Sequence, residues 1–300
     1  MSSRQPDEAT GNHTSNKLPA GLHVVATPLG NLGDISRRAI EALTGADLIA
    51  CEDTRVTKRL LQALGLGAPR LIRYDDHATD RDRSMLIDAM RAGKAVALVS
   101  DAGTPLIADP GYRLVRAAHE AGLRVTAVPG PSSVITALSI SGLPTDRFLV
   151  NGFLPQRAGP RRKTLETLAR IPATLVILES PHRLADSLAD MAAVLGPREA
   201  VVARELTKLF EETRRGRLDA LAAHYAQAGP PKGEVVVVVG PPEADAESEA
   251  AESLDDRLAA ALATTSVRDA AALVATATGL PRKQVYARAL ELAKARESGR

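Results

Sequence analysis

Short apolar runs alternate with amphipathic segments along residues 22–143. Each run has the length and aliphatic content of a strand that is buried on both faces, and helix signals follow most of the runs. The predicted strands are, in chain order, 23–27, 47–51, 70–74, 95–99 and 124–128. This βαβ alternation predicts a largely parallel sheet with helices on both faces.

A second unit is predicted after the break at Gly142, Leu143 and Pro144. Its predicted strands are 148–152, 174–178, 200–203 and 234–239, the last a near-continuous valine run. Consecutive strands here can pair in either direction, so we expect a mixed sheet. The predicted fold class is therefore α/β, with two α/β domains (residues 18–143 and 144–240) and mixed, mainly parallel sheets.

Both ends of the chain differ from this pattern. Residues 1–17 are polar without periodicity and are predicted to form a disordered tail. Residues 241–252 carry five acids and no base, which predicts a solvated linker. Residues 253–300 read as a small helical domain in which a turn at Gly279 suits a helix-turn-helix module. Its last helix is locally basic, which indicates either a nucleic-acid surface or a solvated helix that packs its apolar face on the main body.

Composition narrows the class of protein. The net charge of +2 gives no field over the whole molecule that would favour a polyanion, although local patches remain possible. The single cysteine, Cys51, excludes an internal disulfide framework and suits a reducing cytosol. No apolar run approaches the roughly 20 residues that cross a bilayer. We therefore expect a cytoplasmic protein without a membrane partner. The absence of tryptophan disfavours a stacking platform for single-stranded nucleic acid.

The clearest candidate chemistry follows the predicted strand 95–99. Ser100, Asp101 and Thr104 lie there in a Gly/Pro turn, and ligands of open α/β sheets bind at the carboxyl ends of strands. An ordinary Asp-Gly turn is the alternative. Other predicted strands also end in polar or glycine-rich segments, which favours a ligand crevice. These segments read PLGNLGD, CEDTR, PGPSS and ESPHR.

Several common sites are not indicated. PLGNLGD is neither GxGxxG nor GxxxxGK[ST], so a phosphate cradle is poorly supported. No metal-ligand spacing and no GxSxG elbow occur, so no metal site is predicted. Ser132 and Ser133 fit helix caps, or donors to the carboxylate of a ligand. His182 and Arg183 fit a phosphate contact, whereas Ser180 and Pro181 fit a helix start equally well.

Eight segments in this order and spacing resemble one family. They read PLGNLGD, CEDTR, SDAGTPLIADPG, PGPSS, NGFLP, ESPHRL, RELTK and KGE, and SDAGTP together with ESPHR is the specific combination. Over residues 20–240 the chain resembles the cytidine 2'-O-methyltransferases of small-subunit ribosomal RNA, in the tetrapyrrole methylase superfamily. The C-terminal helices resemble the helix-turn-helix extension of that family. One departure is YDDH at 74–77, where the family tends to carry a second histidine.

The resemblance implies an enzyme that transfers a methyl group from S-adenosylmethionine to a cytidine ribose of 16S ribosomal RNA. It also implies a homodimer whose partner is the small ribosomal subunit. The cofactor-binding residues that it implies are Pro28, Ser100, Asp101, Thr104, Ser132, Ser133, Glu179, Leu206, Gly233 and Glu234.

Other roles are hypotheses from position at the predicted crevice. Asp53 or His77 would be the general base of the reaction. RNA phosphates would bind Arg55, His182, Arg183 and Lys208.

Two alternative functions remain at this point. A tetrapyrrole or other small-molecule methyltransferase would share the fold and the cofactor. A nucleotide-binding or ribosome-associated module without catalysis would share the crevice alone. The basic helical extension and the arginines of EDTR and ESPHR favour the RNA substrate over a free porphyrinoid.

Overall fold

The computed structural model describes residues 18–67, 69–107, 109–242 and 246–298, and for the last range it describes side chains from 254 to 295. The predicted disordered tail, residues 1–17, lies outside the described residues. The chain divides into two compact units, one up to Gly240 and one from Pro241 onward. None of the helices formed by the described residues combines the length and apolarity that crossing a bilayer requires.

The first sheet of the larger unit is wholly parallel, with the strand order β3-β2-β4-β1-β5. Every residue of its central strand β4 is buried. Apolar clusters lie on both faces: α3 and α4 cover one of them, and α1 and α2 cover the other. The elements are β1 Gly21–Val25, α1 Arg37–Gly45, β2 Leu48–Cys51, α2 Thr54–Ala63, β3 Arg70–Arg73, α3 Asp80–Arg91, β4 Ala95–Val99, α4 Tyr112–Glu120 and β5 Val125–Val128.

The second sheet is mixed and has the order β6-β7-β10-β8-β9. Only β6 and β7 pair in parallel, and the valine strand β10 lies antiparallel to both of its neighbours. The elements are α5 Ser133–Ser141, β6 Phe148–Phe153, α6 Ala158–Leu168, β7 Thr174–Glu179, α7 Leu184–Leu195, β8 Glu199–Arg204, β9 Glu212–Arg217, α8 Leu218–Ala228 and β10 Val235–Val239.

Helix α5 connects the two sheets. It precedes the predicted domain boundary at 143, yet Val134, Ala137 and Leu138 pack on the second sheet, against Val201 and Val236 among others. The reason is that α5 is apolar over most of its surface and the second sheet offers it an apolar face. The amino end of α5 is thereby held between the two sheets.

The predicted fold class is confirmed. Of the strand pairings in the described residues, five are parallel and three antiparallel. The pattern missed β9 and α8. The sequence of β9, ETRRGR, has no apolar alternation because no residue of this edge strand is fully buried.

The smaller unit is a three-helix bundle. Its helices are α9 Ala246–Leu262, α10 Val267–Thr278 and α11 Arg282–Ser298, and they bury a core that includes Leu258, Val274 and Val285. The prediction of a linker over 241–252 is wrong from Ala246 onward, since α9 begins there. Alanine and glutamate are strong helix formers. A stretch whose charge suggested a solvated linker therefore forms the first turns of α9.

Candidate active site

A cavity of about 440 Å³ lies where strand ends of the two sheets face each other. This volume falls within the range of roughly 300–1,000 Å³ that is typical of small-molecule sites. The carboxyl ends of β2, β4 and β7, the amino end of α5 and the amino end of β10 all contribute to the lining. The lining residues are Leu29, Glu52, Asp101, Ala102, Gly103, Thr104, Ile107, Asp109, Ser132, Ser133, Phe153, Leu178, Glu179, Ser180, Pro181, Gly233, Glu234, Val235 and Val236.

Most of the predicted cofactor-binding residues line this cavity. They are Asp101, Thr104, Ser132, Ser133, Glu179, Gly233 and Glu234. Pro28, Ser100 and Leu206 are buried and are not among its lining residues. Leu206 packs instead in the apolar cluster beneath α5. Glu52 and Asp109 also line the cavity and were not among the predicted cofactor-binding residues. Leu29 and Val235, which lie in the loop after Pro28 and in the segment that begins at Gly233, supply apolar lining.

Backbone contacts fix the loop that follows β4. Thr27 and Gly103 exchange hydrogen bonds at 2.9 and 3.1 Å, and this bridge ties the loop to the end of β1. Gly103 has a φ of +79°, and a Cβ there would lie 3.0 Å from Leu29. The Thr104 hydroxyl donates to the Pro131 carbonyl at 2.9 Å, which joins the same loop to the segment before α5. The ends of β1, β4 and β5 are therefore held together as one rigid wall of the cavity.

Carboxylates concentrate on this wall. The Asp53 N–H donates to Asp101 Oδ1 at 3.1 Å, and the backbone of Asp101 lies near the Glu52 carboxylate. Burial, and then the negative charge of their neighbours, raise the pKa of Glu52 and of Asp101. Burial also raises the pKa of Asp109. Ionised carboxylates that repel one another in a half-buried place favour a cationic ligand, which would offset their charge.

A second cavity, of about 560 Å³, adjoins the first one. It brings together Asp53, His77 and Arg55, which the sequence placed at the crevice. Glu52 and Asp101 line both cavities and so form their common wall. The lining of the second cavity is Glu52, Asp53, Thr54, Arg55, Arg73, Asp75, Asp76, His77 and Asp101. In the part of the chain that the structure describes, no group of three or more ligand-type side chains is arranged to hold a metal.

The Asp53 side chain is the N-cap of helix α2. Its carboxylate accepts the Arg55 N–H at the start of α2 at 2.7 Å and pairs with the Arg55 guanidinium at 2.6 Å. The side-chain hydrogen bond from Arg55 holds the pKa of this carboxyl far below its usual range. A carboxylate with so low a pKa is a poor proton acceptor, which disfavours the hypothesis that Asp53 is the base.

Glu179 and Arg183 form a buried structural pair. The Glu179 carboxylate accepts the Ser180 N–H at 2.7 Å, the Ser187 hydroxyl and Nη2 of Arg183 at 3.2 Å. The same Arg183 nitrogen donates to the Leu154 carbonyl at 2.7 Å. These contacts argue against the predicted phosphate role of Arg183. His182 is exposed and lies in a 3₁₀ turn, Pro181–Arg183, outside the lining of both cavities.

Lys208 joins the two sheets. Its ammonium donates to Glu205 at 2.8 Å and to Glu234 at 3.1 Å, while its stem lies so close to Gly30 that a Cβ there would be 2.6 Å from Cε. The φ angles of Glu205 (+49°) and Thr207 (+68°) are unusual for residues with side chains, and for a β-branched residue especially so. With its charge already paired, Lys208 is suited to closing the cavity rather than to binding phosphate.

Two family models match the chain. One, described as "Tetrapyrrole (Corrin/Porphyrin) Methylases", covers residues 21–222, and another, described as "RsmI C-terminal HTH domain", covers residues 247–293. Among solved structures, the chain is similar to the methyltransferase CobJ (TM-score 0.55, 19% identity, 74% of this chain and 94% of that one). It is also similar to diphthine synthase (TM-score 0.54, 18% identity, 73% and 89%). At these identities the likeness concerns the fold.

Curated relatives are much closer in sequence. A protein of Erythrobacter litoralis is 54% identical over 94% of this chain and 98% of its own length, and one of Mesorhizobium japonicum is 50% identical over 92% and 93%. Both are named "Ribosomal RNA small subunit methyltransferase I". Identity of this order over nearly the whole of both chains leaves no large part of the fold unmatched. The chain therefore belongs to the tetrapyrrole methylase family and, within it, to the group of ribosomal RNA small subunit methyltransferases I.

Proposed function

We propose that this protein is an S-adenosylmethionine-dependent methyltransferase that methylates the 2'-oxygen of a cytidine in 16S ribosomal RNA. The observation that carries the proposal is the cavity in which Asp101 of the first sheet and Glu179 of the second share one lining. The names of the close relatives, which specify ribosomal RNA of the small subunit, support the substrate class.

The lining fits the parts of S-adenosylmethionine. The negative wall at Glu52 and Asp101 would offset the sulfonium charge. The amino end of α5, where Ser132 accepts the Ile135 N–H as the cap, would hold the methionine carboxylate with its remaining N–H groups. Leu29 and Val235 supply apolar surface for the adenine. One structural neighbour in this fold, a uroporphyrin-III C-methyltransferase, is described as complexed with S-adenosylhomocysteine.

When bound, S-adenosylmethionine supplies an electrophilic methyl group on a good leaving group. The task left to the protein is to place an acceptor oxygen in line with that methyl, and positioning of this kind is worth effective molarities on the order of 10⁵ M or more. The rigid wall built from Thr27, Gly103 and Thr104 suits this task, because it leaves little freedom around the site. Removal of the hydroxyl proton would add roughly 10²- to 10⁴-fold.

The second cavity is the natural place for the acceptor nucleotide. It meets the first cavity at Glu52 and Asp101, and its rim carries Arg55 and Arg73, whose side chains are 85% and 70% exposed. Guanidinium groups at such a rim can meet RNA phosphates in addition to their own carboxylate partners. The basic residues of α11, among them Arg282 and Lys283, would contribute phosphate contacts from the smaller unit.

The proposal also includes a homodimer in the cytoplasm. The edge strand β6 exposes Phe148 and Val150, and an apolar edge of this kind is suited to burial against a second copy. Light scattering of the purified protein at micromolar concentration would give twice the mass of the chain.

The deciding experiment uses small ribosomal subunits from cells that lack this protein. Methyl transfer from labelled S-adenosylmethionine to their 16S RNA, followed by mass mapping, should locate one new methyl group on a cytidine ribose. Subunits from cells that contain the protein serve as the control and should accept none. Transfer to a precorrin-like acceptor and none to RNA would support the small-molecule alternative, and no binding of the cofactor at millimolar concentration would support a module without catalysis.

A further inference from the structure

Glu52 lies on the wall that the two cavities share. It follows the last residue of β2 directly, and its side chain lines the proposed cofactor cavity as well as the proposed acceptor cavity. On the basis of the proposed function, we propose that the Glu52 carboxylate is the catalytic base that accepts the proton of the ribose hydroxyl as the methyl group is transferred. This assignment replaces the earlier candidates, Asp53 and His77.

The hydrogen bonds of the second cavity single out Glu52. Asp53 is paired with Arg55, and Asp75 is paired with Arg73. Asp101 also belongs to both cavities, but its Oδ1 accepts the Asp53 N–H and thereby holds two strand ends together. The backbone of Asp101 lies near the Glu52 carboxylate, and in the described chain no cation lies within ion-pairing distance of Glu52. Asp76 also lines the second cavity and, among the described residues, has no ion pair, but it does not line the first cavity. Of the carboxylates common to both linings, Glu52 is thus the one with capacity left for a substrate hydroxyl.

The charges around Glu52 are mostly negative. Asp101 and Asp109 face it from the segment after β4, and Asp76 faces it from the segment after β3. The other titratable groups of the second cavity are Asp53, Arg55, Arg73, Asp75 and His77. Desolvation and the neighbouring carboxylates raise the pKa of Glu52, so it holds a proton more strongly than an exposed glutamate does. A base with a raised pKa removes a hydroxyl proton more effectively, provided that it is ionised at the working pH.

The balance of the step is simple. The bond between the ribose oxygen and the methyl carbon forms while the bond between sulfur and that carbon breaks. The hydroxyl proton passes to the Glu52 carboxylate, and the sulfur leaves as a neutral thioether. Water then takes the proton from Glu52 when the products leave, so no further reactant is needed.

The test is the single-turnover rate on small subunits as a function of pH, with cofactor and RNA both saturating. For the wild type we expect the rate to fall at acidic pH, where Glu52 becomes protonated. Glu52→Gln should lower the plateau rate by 10²- to 10⁴-fold and abolish this acidic limb. Glu52→Asp retains a carboxylate and should recover part of the rate and restore the limb. The matched control is Glu120→Gln on α4, an exposed glutamate paired with Arg116 and remote from both linings, which should behave as the wild type.

Asp101→Asn and His77→Gln distinguish the possible bases. Asp101→Asn removes a like charge beside Glu52, so the acidic limb should move to lower pH and persist. His77→Gln should leave the limb in place. The assignment is overturned if either of these variants abolishes the limb, if Glu52→Asp is no better than Glu52→Gln, or if Glu52→Gln reaches the wild-type rate at saturating cofactor. If the wild type fails to methylate the subunits at all, the proposed function fails instead, before any variant is compared.

Discussion

The backbone N–H of Asp53 donates a hydrogen bond to Oδ1 of Asp101 at 3.1 Å, and so links the ends of β2 and β4, two neighbouring parallel strands. The carboxylate that the sequence marks most clearly for ligand binding is therefore oriented by the residue that the sequence marks for catalysis. The link uses the main chain of Asp53 and leaves its side chain to cap α2. Two adjacent acids thus have separate tasks: Asp53 builds the wall, and Glu52 faces the cavities.

Replacement of Asp53 by alanine should lower stability much more than it lowers the rate of methyl transfer. The loss of the helix cap and of the Arg55 pair should reduce the urea midpoint, whereas the single-turnover rate should stay within tenfold of the wild type. Asp53→Asn is the control, because asparagine caps helices equally well and removes only the ion pair with Arg55. A loss of 100-fold in rate in Asp53→Asn with only a small change in midpoint would restore Asp53 as the base.

The contribution of Asp53 to stability should depend on pH in a definite direction. Its pKa is lowered in the folded protein, so the contribution is complete above the unfolded value of about 3.9 and is lost as pH falls further. The difference in urea midpoint between wild type and Asp53→Asn should accordingly be constant between pH 5 and pH 8 and shrink below pH 4. An equal shrinkage between pH 8 and pH 5 would contradict this account.

Gly233→Ala should weaken binding of S-adenosylmethionine by tenfold or more. Gly233 has a φ of +90°, and a Cβ there would lie 2.1 Å from the Glu205 carboxyl group, which accepts the Glu234 N–H. The alanine would therefore displace the loop that closes the cavity. Gly229→Ala is the matched control: its φ of +75° imposes a similar backbone strain, but a Cβ there meets nothing within 4 Å. Calorimetric titrations that weaken equally in both variants would refute the role of the Glu205 contact.

Arg183→Ala should destabilise the larger unit by about 3–5 kcal/mol, because it leaves the buried Glu179 carboxylate without its cation. Urea unfolding gives this number. In the folded fraction, the salt dependence of RNA binding should match that of the wild type. If the logarithmic salt slope fell while stability stayed the same, Arg183 would be a phosphate ligand after all.

Binding of S-adenosylmethionine should weaken as the pH falls from neutral into the acidic range. Glu52, Asp101 and Asp109 have raised pKa values in the free protein, so acid removes the negative charge that offsets the sulfonium. S-adenosylhomocysteine, which differs in having a neutral sulfur, should lose much less affinity over the same range. Parallel losses for the two ligands, measured by calorimetry, would show that the carboxylates do not face the sulfur.

The double substitution Arg282→Ala with Lys283→Ala should reduce the logarithmic salt slope of RNA binding by about 1.4, the value expected for two phosphate contacts on single-stranded RNA. Both residues are exposed at the start of α11. Affinity for S-adenosylmethionine should not change. Arg257→Ala on α9, also exposed, provides the comparison for a cation outside this helix.

Much of this architecture can be predicted from the pattern of hydrophobic and polar residues. The strands β2, β4 and β10 are apolar throughout because both of their faces are covered, and such runs are recognisable without a structure. The edge strand β9 was not recognisable, since an edge strand among solvated arginines need not carry an apolar pattern. The start of α9, residues 246–252, was missed for a similar reason. A run of acidic residues indicates that a segment is solvated, but it does not indicate whether the backbone is helical.

The candidate site was predictable as a set of loops but not as a set of roles. Adjacent positions such as Glu52 and Asp53 look alike in sequence, and only the hydrogen bonds separate a cap from a cavity wall. Likewise, Arg183 and Lys208 resemble phosphate ligands until their buried or bridging partners are seen. A pattern can identify which strand ends carry chemistry, whereas the direction of each side chain depends on contacts distant in the chain.

The position of β10 has a consequence for how the chain is made. This strand is the last of the larger unit in sequence and lies in the middle of its sheet, between β7 and β8. A nascent chain that has not yet emerged from the ribosome past residue 239 has two strands with unpaired edges and an open core. The second sheet therefore cannot be completed until late in synthesis. A chain that terminates before β10 leaves the facing edges of β7 and β8 unpaired and exposes the apolar surface that β10 covers, which favours recognition by chaperones and proteases.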